Sequence, residues 1–507
     1  MDEALSLGRM RRALIMGVVM VGPFMALLES SIVNVALPSI MTSFGVNVNE
    51  VKWVSTAFFI STAVGMPLTG WLGRRIGLGR AYIAEMAVFV AGSALCAVSW
   101  SLDMLVFARV VQAIGAGSLM PTSMTIVTNI YPSSERGRAI GIWGIGFMVA
   151  PAIGPTVGGV ITEWIEWRAI FGVNLPIGLL CMLLAGVVLD PGEENHALPF
   201  DWKGYLALGI FLVSGLLTLE QGHDLGWNAP PILFGAATAC VALLVFLVLS
   251  ADEAQPILPL RLFRHLDFSL ASWLGMTRAV GLFGSLFLTP IFLQNVQGHD
   301  PIAAGLLMMP APLCVALSMP FAGTLTDRFG PRWPTFCGAL LVSYSMYLYS
   351  FLDPLSSNWH VIYPQFFRGV GMAFMNTPVN TAAMNAVGRE DVGAASWVVT
   401  LTRMLTASAT IALVGTLLPT LRGVEMDRLA AASALHGPPP ARLVQEVLTL
   451  GYAPSESGSV AQKVLLQHVS HMANTLAFQR IHFGLGLATL TGVLPALLLS
   501  SRKRSAA

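Results

Sequence analysis

Between residues 13 and 37 the only charged side chain is Glu29, and apolar stretches of this kind follow one another almost to the C-terminus. A helix crosses a bilayer with about 20 mainly apolar residues. Helices and closed barrels are the structures whose backbone needs no help from lipid. Further spans at 51–72, 81–100, 104–130, 139–161, 169–189, 204–220, 232–250, 268–292, 302–322, 334–352, 360–384, 393–418 and 480–499 bring the expected count to fourteen. Charged residues make up 11% of the 507, against roughly 25% in a soluble chain, and 55% are hydrophobic. The expectation is an all-α polytopic membrane protein embedded in the lipid bilayer. The net charge of +1 gives no ground for a nucleic-acid partner. Cys96, Cys181, Cys240, Cys314 and Cys337 lie scattered in apolar stretches, without the spacing of a metal site or a disulfide framework. The first apolar run carries no small-residue cleavage site, so it is expected to be a retained helix and not a removed signal.

Loop charges orient the chain. With the N-terminus inside, Arg9, Arg11, Arg12, Arg74, Arg75, Arg80, Arg136, Arg138, Lys203, Arg261, Arg264, Arg328, Arg332, Arg389, Arg502, Lys503 and Arg504 all fall on the cytoplasmic side. The short outer loops keep Lys52 and Arg168. Lys and Arg concentrate in cytoplasmic loops on insertion, so both termini are expected to be cytoplasmic. One outer segment, 419–478, is far longer than the rest and holds Pro438, Pro439 and Pro440. In it Val460, Val464, Leu465, Val469, Met472 and Leu476 recur at roughly helical spacing. A solvated, partly helical loop and a docking surface both fit that pattern.

The chain repeats itself. Gly70-Trp-Leu-Gly-Arg-Arg-Ile-Gly-Leu-Gly-Arg80 returns as Gly323-Thr-Leu-Thr-Asp-Arg-Phe-Gly-Pro-Arg332, each opening a cytoplasmic loop. Arg109, Gly115 and Pro121 return as Gln365, Gly371 and Pro378. The organisation expected is a six-helix bundle over 1–190, a linker with two extra membrane helices over 191–265, and a second six-helix bundle over 266–507 that includes the long outer loop. Parallel halves around a central path are the plan of secondary transporters, which bind substrate near the membrane midplane.

Several motifs, taken jointly, resemble the fourteen-helix drug:proton antiporters of the major facilitator superfamily, the EmrB/QacA group. Glu29-Ser-Ser-Ile-Val-Asn-Val-Ala-Leu-Pro38 is similar to that group's first-helix signature, with Glu29 where an Asp is usual. The segment 70–80 resembles the cytoplasmic loop motif, and Arg109-Val-Val-Gln-Ala-Ile-Gly-Ala-Gly117 the fourth-helix basic motif. Ala150-Pro-Ala-Ile-Gly-Pro-Thr-Val-Gly-Gly159 resembles the fifth-helix antiporter motif, and Trp167-Arg-Ala-Ile-Phe-Gly-Val-Asn-Leu-Pro-Ile-Gly178 and 397–403 complete the set. Pro67-Leu-Thr-Gly-Trp71 and the long last outer loop place the chain nearer EmrB than QacA. The loop motif departs from the pattern: the acid expected at Gly73 is missing, while the second copy keeps Asp327. The resemblance implies the major facilitator fold and proton-coupled efflux of small amphipathic or lipophilic compounds across a bacterial inner membrane. It implies no cofactor beyond the proton gradient, and a periplasmic membrane fusion protein as a partner. The loop-motif residues it marks are Gly70, Arg74, Arg75, Gly77, Arg80, Asp327, Arg328 and Gly330.

Ionisable groups inside apolar helices are functional hypotheses by default. Glu29 fits proton coupling, or a structural acid bonded to a neighbouring helix. Arg109 keeps its charge when buried and fits either a fixed cation acting on a nearby acid or a structural ion pair. Arg278, Arg368 and Arg403 are the other embedded bases and are candidates for the substrate pathway; Arg278 belongs to no motif. Glu85 and Glu220 fall near expected helix ends, where they would be solvated. Gly146, Pro151, Gly154, Pro155, Gly158 and Gly159 allow close helix approach and local bending, as either a packing seam or the rocking interface of an exporter. Met308, Met309, Met372, Met375 and Phe374 fit plain core filling or an adaptable binding surface.

No Gly-Lys dipeptide occurs, so the chain has no phosphate loop for ATP. Transport driven by a gradient is the leading reading, with export of one endogenous metabolite, lipid or fatty acid as its narrower form. A membrane-embedded lipid-modifying enzyme would need clustered His, Asp or Cys, and His468 with His471 is the one close histidine pair.

Overall fold

The structure, a computed structural model, describes residues 8–192, 194–195, 197–432, 442, 444–445, 449 and 454–500. Every regular element among them is helical. The rods are α1 (Arg9–Phe44), α2 (Val48–Gly65, bent by 50° into Leu68–Ile76), α3 (Leu78–Ala97), α4 (Leu102–Ile130), α5 (Arg136–Trp164) and α6 (Ala169–Val188). Then come α7 (Trp202–Leu225), α8 (Pro230–Asp252), α9 (Leu266–Asn295), α10 (Ile302–Phe329), α11 (Arg332–Tyr349), α12 (Asn358–Asn385), α13 (Val392–Ala432) and α14 (Pro454–Leu490). Among the described residues eleven helices are long and apolar enough to cross a membrane, twelve with the bent α2. The two rods outside that count are α11, at 18 residues, and α12, whose inner face carries Gln365, Arg368, Asn376 and Asn380.

Helix breakers inside these rods are answered by side chains of neighbouring helices. Pro23 in α1 has no N–H for the Val19 carbonyl four residues back; Ser123 of α4 donates to it at 2.6 Å, and Trp143 Nε1 of α5 donates to Ser123 at 2.8 Å. Pro155 in α5 leaves the Pro151 carbonyl open, and Ser31 of α1 donates to it at 3.2 Å. Such re-satisfaction is what lets a proline survive in a membrane helix.

Helices α1, α4 and α5 pack on one another, as do α9, α12 and α13; α10 packs on both α12 and α5. Helix α7 reaches two neighbours: Thr56 of α2 donates to Glu220, Lys52 pairs with Asp224 at 2.9 Å, and Trp227 Nε1 donates to Thr416 of α13 at 2.8 Å. Helix α8 turns Leu233, Phe234, Val241, Leu244 and Val248 outward. An apolar outer face of this kind marks a surface covered by lipid or by another protein.

Three expectations change. The segment 419–478 is not mainly a loop: α13 runs on to Ala432 and α14 begins at Pro454, with Pro438, Pro439 and Pro440 outside the described residues. Hydropathy marks the part of a helix that meets lipid, so it left out the continuation of α13, while the helical spacing over 460–476 did mark part of α14. The face α14 buries there is Ala461, Val469, Ala473 and Ala477, whereas Val464 and Met472 of the expected stripe are exposed. Helix α7 is longer than 204–220 and ends at Leu225. Glu85 is not solvated: it lies well inside α3, is 4% exposed, and accepts a 2.8 Å hydrogen bond from Thr122 of α4.

Candidate functional site

Five helices converge on Glu29. Arg109 and Gln112, three residues apart on α4, share a face and reach it together. Arg109 Nη1 donates to Glu29 Oε1 at 2.5 Å, and Gln112 Nε2 and Asn174 Nδ2 (α6) donate to Oε2 at 2.7 Å each. Ser93 of α3 closes the ring, accepting from Gln112 at 3.0 Å and Asn174 at 2.9 Å while donating to the Phe171 carbonyl at 2.9 Å. Arg109 also donates to Gln112 Oε1 at 2.8 Å and to the Val54 carbonyl at 3.3 Å, and its guanidinium lies 3.8 Å from the centre of the Phe58 ring. Glu29 and Arg109 are each 1% exposed. A buried ion pair is tolerable when its remaining donors and acceptors are satisfied, and here the carboxylate accepts three bonds. The sequence marked Glu29 and Arg109; Gln112 and Asn174 lay inside the quoted motifs without being singled out.

The second half carries the same constellation without the acid. A spacing of 256 residues relates Glu29 to Ser285, Ser93 to Tyr349, Arg109 to Gln365 and Gln112 to Arg368. Arg368 donates to both Ser285 and Gln365. Tyr349 is buried against His482, ring centres 5.2 Å apart. The cation has moved one helical turn along α12, and a hydroxyl holds the carboxylate's place.

A third cluster sits at the junction of α4, α5, α9, α12 and α13. Arg278 donates to Asn376 Oδ1 at 2.5 Å, Asn380 donates to the same oxygen at 3.2 Å, and Arg403 contacts the Met120 sulfur at 3.5 Å. These side chains, with Met124, Trp143 and Thr400, line a narrow cavity.

At the end of the bundle that carries the basic loops, α5 and α10 meet. Asp327 accepts from the backbone N–H groups of Gly137 and Arg138, at 2.8 Å each, and so caps the start of α5. A methyl group on Gly323 would stand 2.5 Å from the Gly137 carbonyl oxygen, so the helices touch backbone to backbone. The related contact in the other half sets Gly70 against Ala394 at the start of α13. The 253-residue spacing that relates Gly70 to Gly323 relates Gly77 to Gly330, both in the left-handed region at φ 85 and 80. It also relates Arg74, not Gly73, to Asp327. Gly73 faces Leu78 of its own hairpin, so the missing acid is a charge reversal at Arg74. Arg74 lies within electrostatic range of Asp391, directly before α13, and Asp391 accepts from Arg261 at 2.9 Å. That bond holds the Arg261 guanidinium above its usual pKa. Arg75 donates to the Leu198 carbonyl at 2.7 Å, Arg80 pairs with Glu194, and Arg328 lies over the Phe329 ring.

In the α5 run, added methyl groups on Gly154 and Gly158 would meet Ser31 at 2.5 Å and Ile32 at 2.9 Å, so these two residues set the approach to α1. Gly146 faces Met20, and Gly159 meets nothing within 4 Å. Residues 154 and 158 share a helix face, and 159 is turned roughly 100° away from 158, so Gly159 does not belong to the seam.

The model of the Major Facilitator Superfamily matches residues 19–411. The Multidrug resistance protein Stp of Mycobacterium tuberculosis is 32% identical over 398 residues, covering 78% of this chain and 74% of Stp. The Multidrug export protein EmrB of Escherichia coli is 29% identical over 461 residues, 89% of each chain. Two solved structures share the fold at 12% identity: the human organic anion transporter MFSD10, with TM-score 0.60 over 96% of this chain and 100% of that one, and the proton:xylose symporter XylE, with TM-score 0.59 over 96% and 95%.

Proposed function

Because the chain belongs to the Major Facilitator Superfamily, we propose that it is a proton-coupled exporter of small amphipathic compounds, exchanging protons for cargo. One observation carries the coupling: Glu29, held by Arg109, Gln112 and Asn174, is a buried carboxylate joining α1, α4 and α6. Protonation removes its attraction for Arg109 and one acceptor from the network, so a proton arriving there changes how these helices hold one another. The kinship with proteins named for multidrug export and resistance supports efflux as the direction. The drive is the proton gradient, in which one charge crossing 100 mV is worth about 2.3 kcal/mol.

In this reading fourteen rods cross the inner membrane with both termini in the cytoplasm. They form one bundle over 1–190, an inserted pair over 191–265, and a second bundle over 266–507. Asp327 with Gly137, and Gly70 with α13, close the cytoplasmic end. The seam of Gly154 and Gly158 against α1, with Pro151 and Pro155, is where α5 rocks. The continuations of α13 and α14 stand on the periplasmic side, where a membrane fusion protein would bind.

The test is transport in proteoliposomes with the purified full chain. An inward proton gradient should drive a lipophilic dye out against its own gradient, and proton entry should rise with dye. Equal dye movement with the gradient collapsed would sink proton coupling; no dye movement under any gradient would sink export.

A further inference from the structure

We propose that the cavity between Arg278 and Arg403 binds the anionic group of a lipophilic substrate, so that the exporter's cargo is organic anions. This rests on the export reading and narrows it to one charge class.

The case begins with an imbalance. Arg109 has Glu29, but among the described residues no carboxylate pairs with Arg278 or Arg403. The two guanidinium groups line one narrow cavity. Arginine does not escape such a site by losing its proton, and an unpaired buried charge is costly. Their donors are underused as well. Arg278 is 4% exposed and its Nε has no partner, while its one bond goes to Asn376. Arg403 is only half-buried, and its one bond goes to a thioether, a weak acceptor. Arg368 differs, because Ser285 and Gln365 engage its fork.

An anion supplies what this place lacks. A carboxylate, sulfonate or phenolate takes parallel N–H donors from a guanidinium. The neighbouring wall is apolar and adaptable: Met120 and Met124 from α4, and the Trp143 ring from α5. Thioethers and an indole suit a variable hydrophobic body. A lipophilic cation entering the same cavity meets two like charges and no acid. The cavity offers only about 20 Å³ in this conformation, but it draws on α4 and α5 as well as α9, α12 and α13, helices that must separate during alternation, so it admits a substrate as that separation widens it.

Three probes of one shape separate the possibilities: 9-anthracenecarboxylate, 9-anthracenemethanol and 9-(aminomethyl)anthracene. Binding is read by fluorescence on the full chain in nanodiscs, and flux in proteoliposomes. The carboxylate should bind best. Arg278→Gln and Arg403→Gln should each weaken it about tenfold, the scale of one lost charge-assisted bond. The alcohol should change little, and Arg278→Lys should recover part of the carboxylate affinity. Arg403→Gln disturbs only a sulfur contact, so it tests the site even where Arg278→Gln fails to fold. Preference for the amine, equal binding of all three, or unchanged carboxylate affinity in Arg403→Gln would overturn the proposal. Gradient-driven flux of the amine or alcohol without the carboxylate would overturn it while leaving export standing. Arginine-dependent carboxylate binding without uphill flux would support the site and defeat export.

Discussion

Ser285 accepts a hydrogen bond from Arg368 as Glu29 accepts one from Gln112: a spacing of 256 residues carries each member of the first-half pair onto its counterpart in the second. Only the first half keeps a carboxylate there. A two-fold repeat has thus become chemically one-sided, with the protonatable group in one half and the unpaired Arg278 and Arg403 contributed by the other.

Glu29→Gln should abolish uphill transport. It leaves Arg109 without its counter-charge, a loss of about 3–5 kcal/mol for a broken buried pair, partly offset because Gln keeps an acceptor for Gln112 or Asn174. Glu29→Asp should retain reduced coupling. Glu85→Gln should transport uphill normally, because Glu85 touches Thr122 and no cation pairs with it among the described residues. Uphill flux at matched membrane levels checks all three, and active efflux by Glu29→Gln would make Glu29 a structural acid.

Gly158→Leu should lose transport and Gly159→Leu should keep it. The first drives a branched side chain into Ile32 of α1, the second into open space. Overpacking of this kind costs roughly 1–3 kcal/mol or more. Comparing rates of the two variants, equally inserted, gives the answer; equal rates would remove the seam from the mechanism.

Asp327→Asn should loosen the end of the bundle that carries the basic loops. The carboxylate accepts two backbone N–H bonds, and bonds to a charged group are worth about 1.5–3 kcal/mol each. Labels at the exposed Arg80 and Trp333 should spread to longer distances. Arg74→Asp should act similarly by setting an acid beside Asp391, and adding Asp391→Arg should restore part of the loss. A double-mutant cycle with no coupling would show that the reversed charges do not communicate.

How far the sequence reached depended on what each residue had to announce. Apolar runs and duplicated motifs carried the helices and their order, and marked Glu29 and Arg109 one by one as embedded charges without pairing them, because lipid and buried charge impose strong patterns. Gln112, Asn174 and Ser93 were silent because polar neutral residues are common in helices; the 256-residue spacing relates Gln112 to Arg368, already marked as an embedded base, and Ser93 to Tyr349, which nothing else marks. Glu85 was misplaced because burial by a neighbouring helix leaves no local trace. The Gly73 reading failed by one residue, since a motif with several glycines and arginines slides easily until the second copy fixes its register at Arg74.

The paired continuations of α13 and α14 should contact a membrane fusion protein. At about 1.5 Å per residue, the 41 residues of α13 and the 37 of α14 reach roughly 60 and 55 Å, well beyond the 30 Å or so of a bilayer core. The two are fastened together along these continuations: Glu425, fully buried, pairs with Arg480 and lies 3.9 Å from Arg428, and Arg422 donates to Ser470 at 3.1 Å. With Ala461, Val469, Ala473 and Ala477 already turned inward, the surface left for a partner is the exposed one that carries Gln462, Val464, Gln467 and Met472. Photocrosslinkers at Gln462 and Gln467 should capture the fusion protein in cells that express both. Glu425→Ala should reduce capture by splaying the hairpin while leaving flux in proteoliposomes, where no fusion protein is present, close to wild type. Crosslinks confined to this chain, with cellular efflux unchanged when residues 436–458 are shortened, would show that the hairpin serves the transporter alone.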